Sequence, residues 1–133
     1  MEAKDWITLI SPIILVATII SSHLLVSKQT RKNKRAKWIE DLRLEVANVI
    51  SFSQQVEDGN VNTLFPFSKS GYVVTMLLDQ NKKIENDLLL EVQAFGLFMT
   101  EKFNANYIKE YKIRVAKITN LTKLVIYEEE KKL

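Results

Sequence analysis

Trp6 to Val26 reads WITLISPIILVATIISSHLLV, and Ser27 to Lys37 continues SKQTRKNKRAK. The first stretch is 21 residues long without an Asp, Glu, Lys or Arg, and the second carries Lys28, Arg31, Lys32, Lys34, Arg35 and Lys37. At 1.5 Å per residue a helix over that run covers roughly 30 Å, the hydrocarbon thickness of a bilayer. The sequence therefore predicts one transmembrane helix within residues 1–27, a basic juxtamembrane segment at 28–37, and a body at 38–133. Lys and Arg prefer the cytoplasmic flank. Six follow the run, while Lys4 precedes it beside Glu2 and Asp5, so the N-terminus is expected outside and the body in the cytoplasm. A cleaved signal peptide has the opposite polarity and a shorter apolar region, which makes this an uncleaved anchor.

The run is not uniform around its circumference. At 100° per residue Thr8, Ser11, Thr18 and Ser22 fall within an arc of roughly 80°, with Leu15 in the same stripe. In lipid such hydroxyls bond back to their own helix, face another copy of the helix, or line a water-filled path. The basic segment has a default role of its own, contact with anionic lipid headgroups.

Residues 38–133 hold 12 Lys and Arg against 14 Asp and Glu, so the positive charge of the chain sits in the juxtamembrane segment. Without cysteine there is no disulfide, thiolate metal site or cysteine nucleophile. About 96 residues make one small domain, and a core of that size favours oligomerisation. Its pattern is helical. Ile39, Leu42, Val46, Val49, Ser53 and Val56 recur at alternating spacings of three and four, widened by Trp38, Ile50 and Phe52, which predicts a long helix over about 30–57. Trp38, Ile39, Leu42, Val46 and Val49 thus form either the core of a bundle or a contact between protomers. Gly59, Pro66 and Gly71 place a loop at 57–71, with Leu64, Phe65 and Phe67 tucked against the bundle. A short helix over 72–78 follows, then Asp79 or Asn81 caps the next. That helix carries Ile84, Leu88, Val92, Phe95 and Met99, with Gly96 allowing a close helix contact. A turn at Asn104–Asn106 leads to a last helix with Ile108, Tyr111, Val115, Ile118, Thr122 and Val125 inward, and EEEKKL frays into solvent.

Chemistry-bearing groups are scarce. His23, the sole histidine, lies in the apolar run, and the three glycines form no phosphate-cradling loop. Adjacent carboxylates such as Glu40 and Asp41 point in different directions around a helix. The expectation is a non-enzyme with no catalytic residues, no metal and no cofactor.

At Arg35-Ala-Lys-Trp38-Ile39-Glu-Asp-Leu42-Arg43 the chain resembles a pattern of small bacterial membrane proteins, a single span followed by R-x-x-W-I-x-x-L-R at the start of a long cytoplasmic helix. Leu77-Leu78-Asp79-Gln80-Asn81 resembles a turn found downstream in the same group. In layout the chain is similar to the CRISPR-associated membrane accessory proteins of RNA-targeting systems, which assemble into a ring-shaped pore. That resemblance implies an all-α protein with one N-terminal transmembrane helix, a long juxtamembrane helix and a small helical cytoplasmic bundle, in the inner membrane of a bacterium. It also implies a homo-oligomeric effector or accessory in antiviral defence that changes membrane permeability, for which the polar stripe of Thr8, Ser11, Leu15, Thr18 and Ser22 is the expected pore lining or span interface. The accessory's degenerate RNase-like domain has Arg followed by His after four to six residues. Here Arg43-Leu-Glu-Val-Ala-Asn48 has Asn in that place, so nuclease chemistry is expected to be absent. Two other expectations stand beside this one. The first is a membrane-tethered scaffold that binds a cytosolic defence protein without conduction. The second is an anionic ligand, nucleic acid or a cyclic oligonucleotide, held by the basic segment; charge alone supports it, and lipid headgroups explain the charge equally well.

Overall fold

The structure, a computed structural model, describes the backbone of residues 3–101 and 107–133 and the side chains of residues 16–101 and 107–133. Its elements are α1 (Ala3–Glu57), a 3₁₀ turn (Val61–Thr63), α2 (Leu64–Leu77), α3 (Lys83–Thr100) and α4 (Tyr107–Glu130). The described residues contain no strand, as expected for the all-α class. No helix among them is long and apolar enough to cross a membrane. Residues 6–15 of the expected span lie outside the described side chains. The chain divides into two compact units, Met1–Arg35 and Ala36–Leu133.

The second unit is a helical bundle around one core. From α1 come Ile39, Leu42, Val46 and Val49, all buried at the spacing that turns one helical face inward. Phe67 and Val74 of α2, Leu88, Val92 and Phe95 of α3, and Tyr111, Ile118 and Val125 of α4 close over them. At the α3–α4 end the rings of Phe95, Phe98, Tyr107 and Tyr111 pack in series, with centroids 4.9 Å apart for Phe98 and Tyr107 and 5.9 Å for Phe95 and Tyr111, distances at which aromatic pairs attract.

Gly59 ends α1. Its φ of 95° suits a residue without Cβ, and two bonds close the helix end: Gly59 N–H to the Val56 carbonyl and Asn60 N–H to the Gln55 carbonyl, each 3.0 Å. This is the paired-bond termination typical of a glycine just past a helix C-terminus.

Five expectations need correction. The loop is shorter than 57–71, because α2 already starts at Leu64 and runs through Pro66 and Gly71. Pro66 falls in the first turn, where its missing N–H has no carbonyl to meet. Phe65 does not tuck inward; it is 78% exposed. Neither Asp79 nor Asn81 caps α3, whose N-cap is Lys82; Asp79 instead accepts a bond from Asn81 N–H at 2.9 Å and shapes the turn. In α4, Ile108 is exposed and Tyr107 takes the inward place, while the C-terminal segment stays helical to Glu130 with Glu129 buried. The turn expected at Asn104–Asn106 lies outside the described residues.

Candidate functional site

In the first unit, Thr18 and Ser22 are exposed and border a shallow depression of about 350 Å³ with Ala17, Ser21 and Leu25. Ser21 lines the depression as well, at a helical angle about 60° outside the arc of the polar stripe. Thr8, Ser11 and Leu15 lie outside the described side chains. The same stretch of α1 leaves Ile19, Leu25 and Val26 each at least 60% exposed. Apolar surface in water costs about 25 cal/mol per Å², so this segment is physically suited to an apolar surrounding.

Lys28, Arg31, Lys32 and Arg35 share one face of α1 by their three-four spacing, whereas Lys34 lies to the side. Lys37 belongs to the second unit. No Asp or Glu occurs between Asp5 and Glu40.

In the second unit Trp38, Ile39, Leu42, Val46 and Val49 take part in the chain's own bundle. The four aliphatic residues are buried in the chain's own bundle, and Trp38 packs against the same core. The Trp38 indole N–H donates to the Leu77 carbonyl at 2.9 Å, which fixes α1 to the C-terminal end of α2. Arg43 bridges Glu40 at 2.8 Å and Glu130 at 2.7 Å, and the bond to Glu130 with that to Glu40 raises its already high pKa. Arg43 is thus engaged in holding α1 to α4.

Two carboxylates at the end of the bundle were not anticipated. Glu85, 5% exposed, accepts from Asp79 N–H at 3.2 Å. Lys82 Nζ lies 3.5 Å from Glu85 and 3.4 Å from Glu129, and Lys132 Nζ lies 3.0 Å from Glu129. Burial pushes Glu129 upward, but the hydrogen bond from Lys132 and the charge of Lys82 outweigh it, leaving the carboxyl below the usual range. Burial lowers Lys82 while Glu85 and Glu129 raise it, and the two acids prevail. The arrangement fastens the α2–α3 turn to the end of α4. In the sequence, Glu129 looked like one of three tail glutamates, and only the fold distinguishes it.

Between α2 and α3 runs an open groove of about 510 Å³. Phe67, Val92 and Leu97 give it an apolar wall, and Ser68, Gln93 and Thr100 line its polar side. At Gly71 a Cβ would sit 3.9 Å from Val92 Cγ1, an ordinary contact, so the approach of α2 to α3 does not require a glycine there. Gly96 does not serve a close contact: nothing lies within 4 Å of a Cβ built on it, and it opens into the groove.

Among the described residues no three His, Cys, Asp or Glu side chains gather as a metal ion would require. The chain matches no family model, no curated protein and no solved structure.

Proposed function

We propose that the chain is a single-span protein of a bacterial inner membrane, N-terminus outside, which acts as a homo-oligomer to change membrane permeability. The reading is carried by the 21 uncharged residues from Trp6 to Val26 and the six cations that follow them at 28–37. The high exposure of Ile19, Leu25 and Val26 supports it, because acyl chains would cover those side chains at no hydrophobic cost. Thr18 and Ser22 face other copies of the span, where hydroxyls allow close approach and hydrogen bonding, or water. Lys28, Arg31, Lys32 and Arg35 meet lipid phosphates. On this reading the second unit supplies packing, and neither a catalytic set nor a cofactor is needed. A role in antiviral defence rests on the resemblance at Arg35 to Arg43 alone.

The test is leakage of a potassium-loaded liposome containing the full chain. Thr18→Leu with Ser22→Leu reduces leakage at least about 10-fold, a free-energy effect of about 1.4 kcal/mol, while the number of copies per particle is kept. Unchanged leakage removes these hydroxyls from the path. The open α2–α3 groove favours a second reading, a tethered scaffold that binds a cytosolic protein. That reading predicts no leakage above protein-free liposomes and a monomer in mild detergent.

A further inference from the structure

Charge is unevenly placed around the bundle. Glu40, Arg43, Lys117 and Glu130 occupy the sides that α1 and α4 present, and Lys69 of α2 turns toward α1, where it borders a hollow with Glu45 and Asn48. Among the described residues the side formed by α2 and α3 together has no charge along its length. Phe65 and Tyr72 of α2 and Leu90 and Leu97 of α3 stand there, 78%, 70%, 53% and 67% exposed, with Ser68, Thr75, Gln93 and Thr100 along the open groove between the two helices. Exposed protein surface ordinarily carries roughly 25–35% charged residues. Exposed aromatic and aliphatic side chains without charge are the composition of an interface centre.

The occupant follows from charge and size. An ordinary protein surface laid on this side would bury some of its own charges against a face with nothing to pair them, which is costly; a second copy of the same face brings none. Lipid is a poorer occupant too, because acyl chains offer the Gln93 amide no hydrogen bond, and Asp79 and Glu101 stand at the two ends of the face. A large aromatic side chain offers about 150–250 Å². At the exposures above, the four apolar side chains present on the order of 600 Å², and the polar ones bring the face close to the ~800 Å² per partner of a stable interface.

Copies anchored in one membrane carry α1 in a common direction, and the two-fold axis that preserves it runs along the helices. Such an axis lays α2 on the partner's α3 and α3 on the partner's α2, and it keeps every residue at its own height along the bundle. The heights are set by the structure. Gly71 lies beside Val92 and the two helices run in opposite directions through the turn at 78–82, so Phe65 is level with Leu97, Ser68 with Gln93 and Tyr72 with Leu90, to within about 3 Å. The axis therefore sets Phe65 against the partner's Leu97 and Tyr72 against the partner's Leu90. Polar groups are served as well. The Thr75 and Thr100 hydroxyls donate to the Tyr72 and Leu97 carbonyls of their own helices at 2.7 and 2.8 Å, whereas Ser68 and Gln93, which bond to no other described side chain, come to face each other across the contact. Residue i meets j while j meets i, as a self-complementary contact requires. We propose that the uncharged α2–α3 side of the bundle is a two-fold contact with a second copy, its axis parallel to the helices and α2 antiparallel to the partner's α3. The common direction of the copies rests on the anchoring proposed above, and the contact adds the surface through which they pair.

The chain lacks cysteine, so introduced thiols report the pairing. Full-length Phe65→Cys carrying one tag and full-length Leu97→Cys carrying another are mixed in mild detergent, reconstituted together in lipid nanodiscs and oxidised, with Phe65→Cys and Leu90→Cys as the off-register control. A disulfide requires Cα atoms about 4.4–6.8 Å apart. The Phe65–Leu97 pair cross-links at least about 10-fold more than the control, whose cysteines differ in height by seven residues or roughly 10 Å. It also exceeds Phe65→Cys paired with itself, because α2 and the partner's α2 lie on a diagonal longer than the ~8–10 Å between packed helices. Adding Leu90→Lys to both chains buries a charge in the contact and lowers the yield at least about 10-fold, with helicity by circular dichroism unchanged. Control or self-pairs that equal the mixed pair overturn the contact, as does a yield indifferent to Leu90→Lys. So does absence of the cross-link: cysteines that remain open to a water-soluble maleimide assign the face to a different protein, and cysteines closed to it assign the face to lipid. Copy number and leakage measured in parallel separate the two ideas. Leaking particles of more than one copy without this cross-link defeat the contact and leave the permeability reading standing, whereas single-copy particles defeat both.

Discussion

The hydroxyls of Ser53 and Tyr111 meet at 2.8 Å inside the core, and Ser53 also donates to the Ile50 carbonyl at 2.6 Å. A serine has one proton to give, so Tyr111 donates and Ser53 accepts. Burial pushes the Tyr111 phenol above its ordinary value. Ser53→Ala leaves a buried phenol without its acceptor and costs about 1–3 kcal/mol in urea unfolding, whereas the double variant with Tyr111→Phe recovers most of the loss. A single variant less stable than the double is the expected result, and equal loss in both contradicts the pairing. Glu129 gives the corresponding test in acid. Its folded pKa lies below its ordinary value, so its stabilisation is present above the ordinary carboxylate range and is lost as pH falls through the lowered value. Glu129→Gln is less stable than the unaltered chain at pH 7 by about 1 kcal/mol, and the two chains converge once acid has protonated the Glu129 carboxyl. Ser53 was legible in the sequence because it sits at a core spacing between Val49 and Val56. Glu129 was not, because the Lys82 that pairs with it is 47 residues away and no local pattern marks a tertiary partner.

The helices themselves were largely legible, because stripes at three-four spacing on α1, α3 and α4 report which face is buried. α2 was not. Its apolar residues occur all round, Pro66 and Gly71 read as loop formers, and periodicity has no signal where both faces are apolar. Glycine substitutions separate the three roles found. Gly96→Ala and Gly71→Ala add helix propensity worth up to about 1 kcal/mol at positions where a Cβ meets nothing or makes an ordinary contact, so both raise the melting temperature. Gly59→Ala lowers it by a similar free energy, because the φ of 95° that closes α1 is strained for any residue with a Cβ. A rise with Gly59→Ala contradicts the helix termination described above.

At the scale of the whole molecule, charge and apolar surface are assigned to different places. The cations gather at 28–37, the apolar run precedes them, and the mildly acidic bundle follows. If the cations set the orientation in the membrane, replacing Lys28, Arg31, Lys32 and Arg35 with Glu abolishes the positive-inside bias, and a C-terminal tag shielded from protease in intact spheroplasts becomes accessible in a substantial share of molecules. A tag that stays shielded assigns orientation to another part of the chain. The central claim is that copies of this protein work together in a membrane, and the number of copies per particle tests it most directly. Single-particle imaging of the full chain in lipid nanodiscs is expected to show assemblies of more than one copy, their helical bundles on one side of the disc. Discs that each hold a single copy at every protein-to-lipid ratio, or a chain that stays outside the discs, contradict the account.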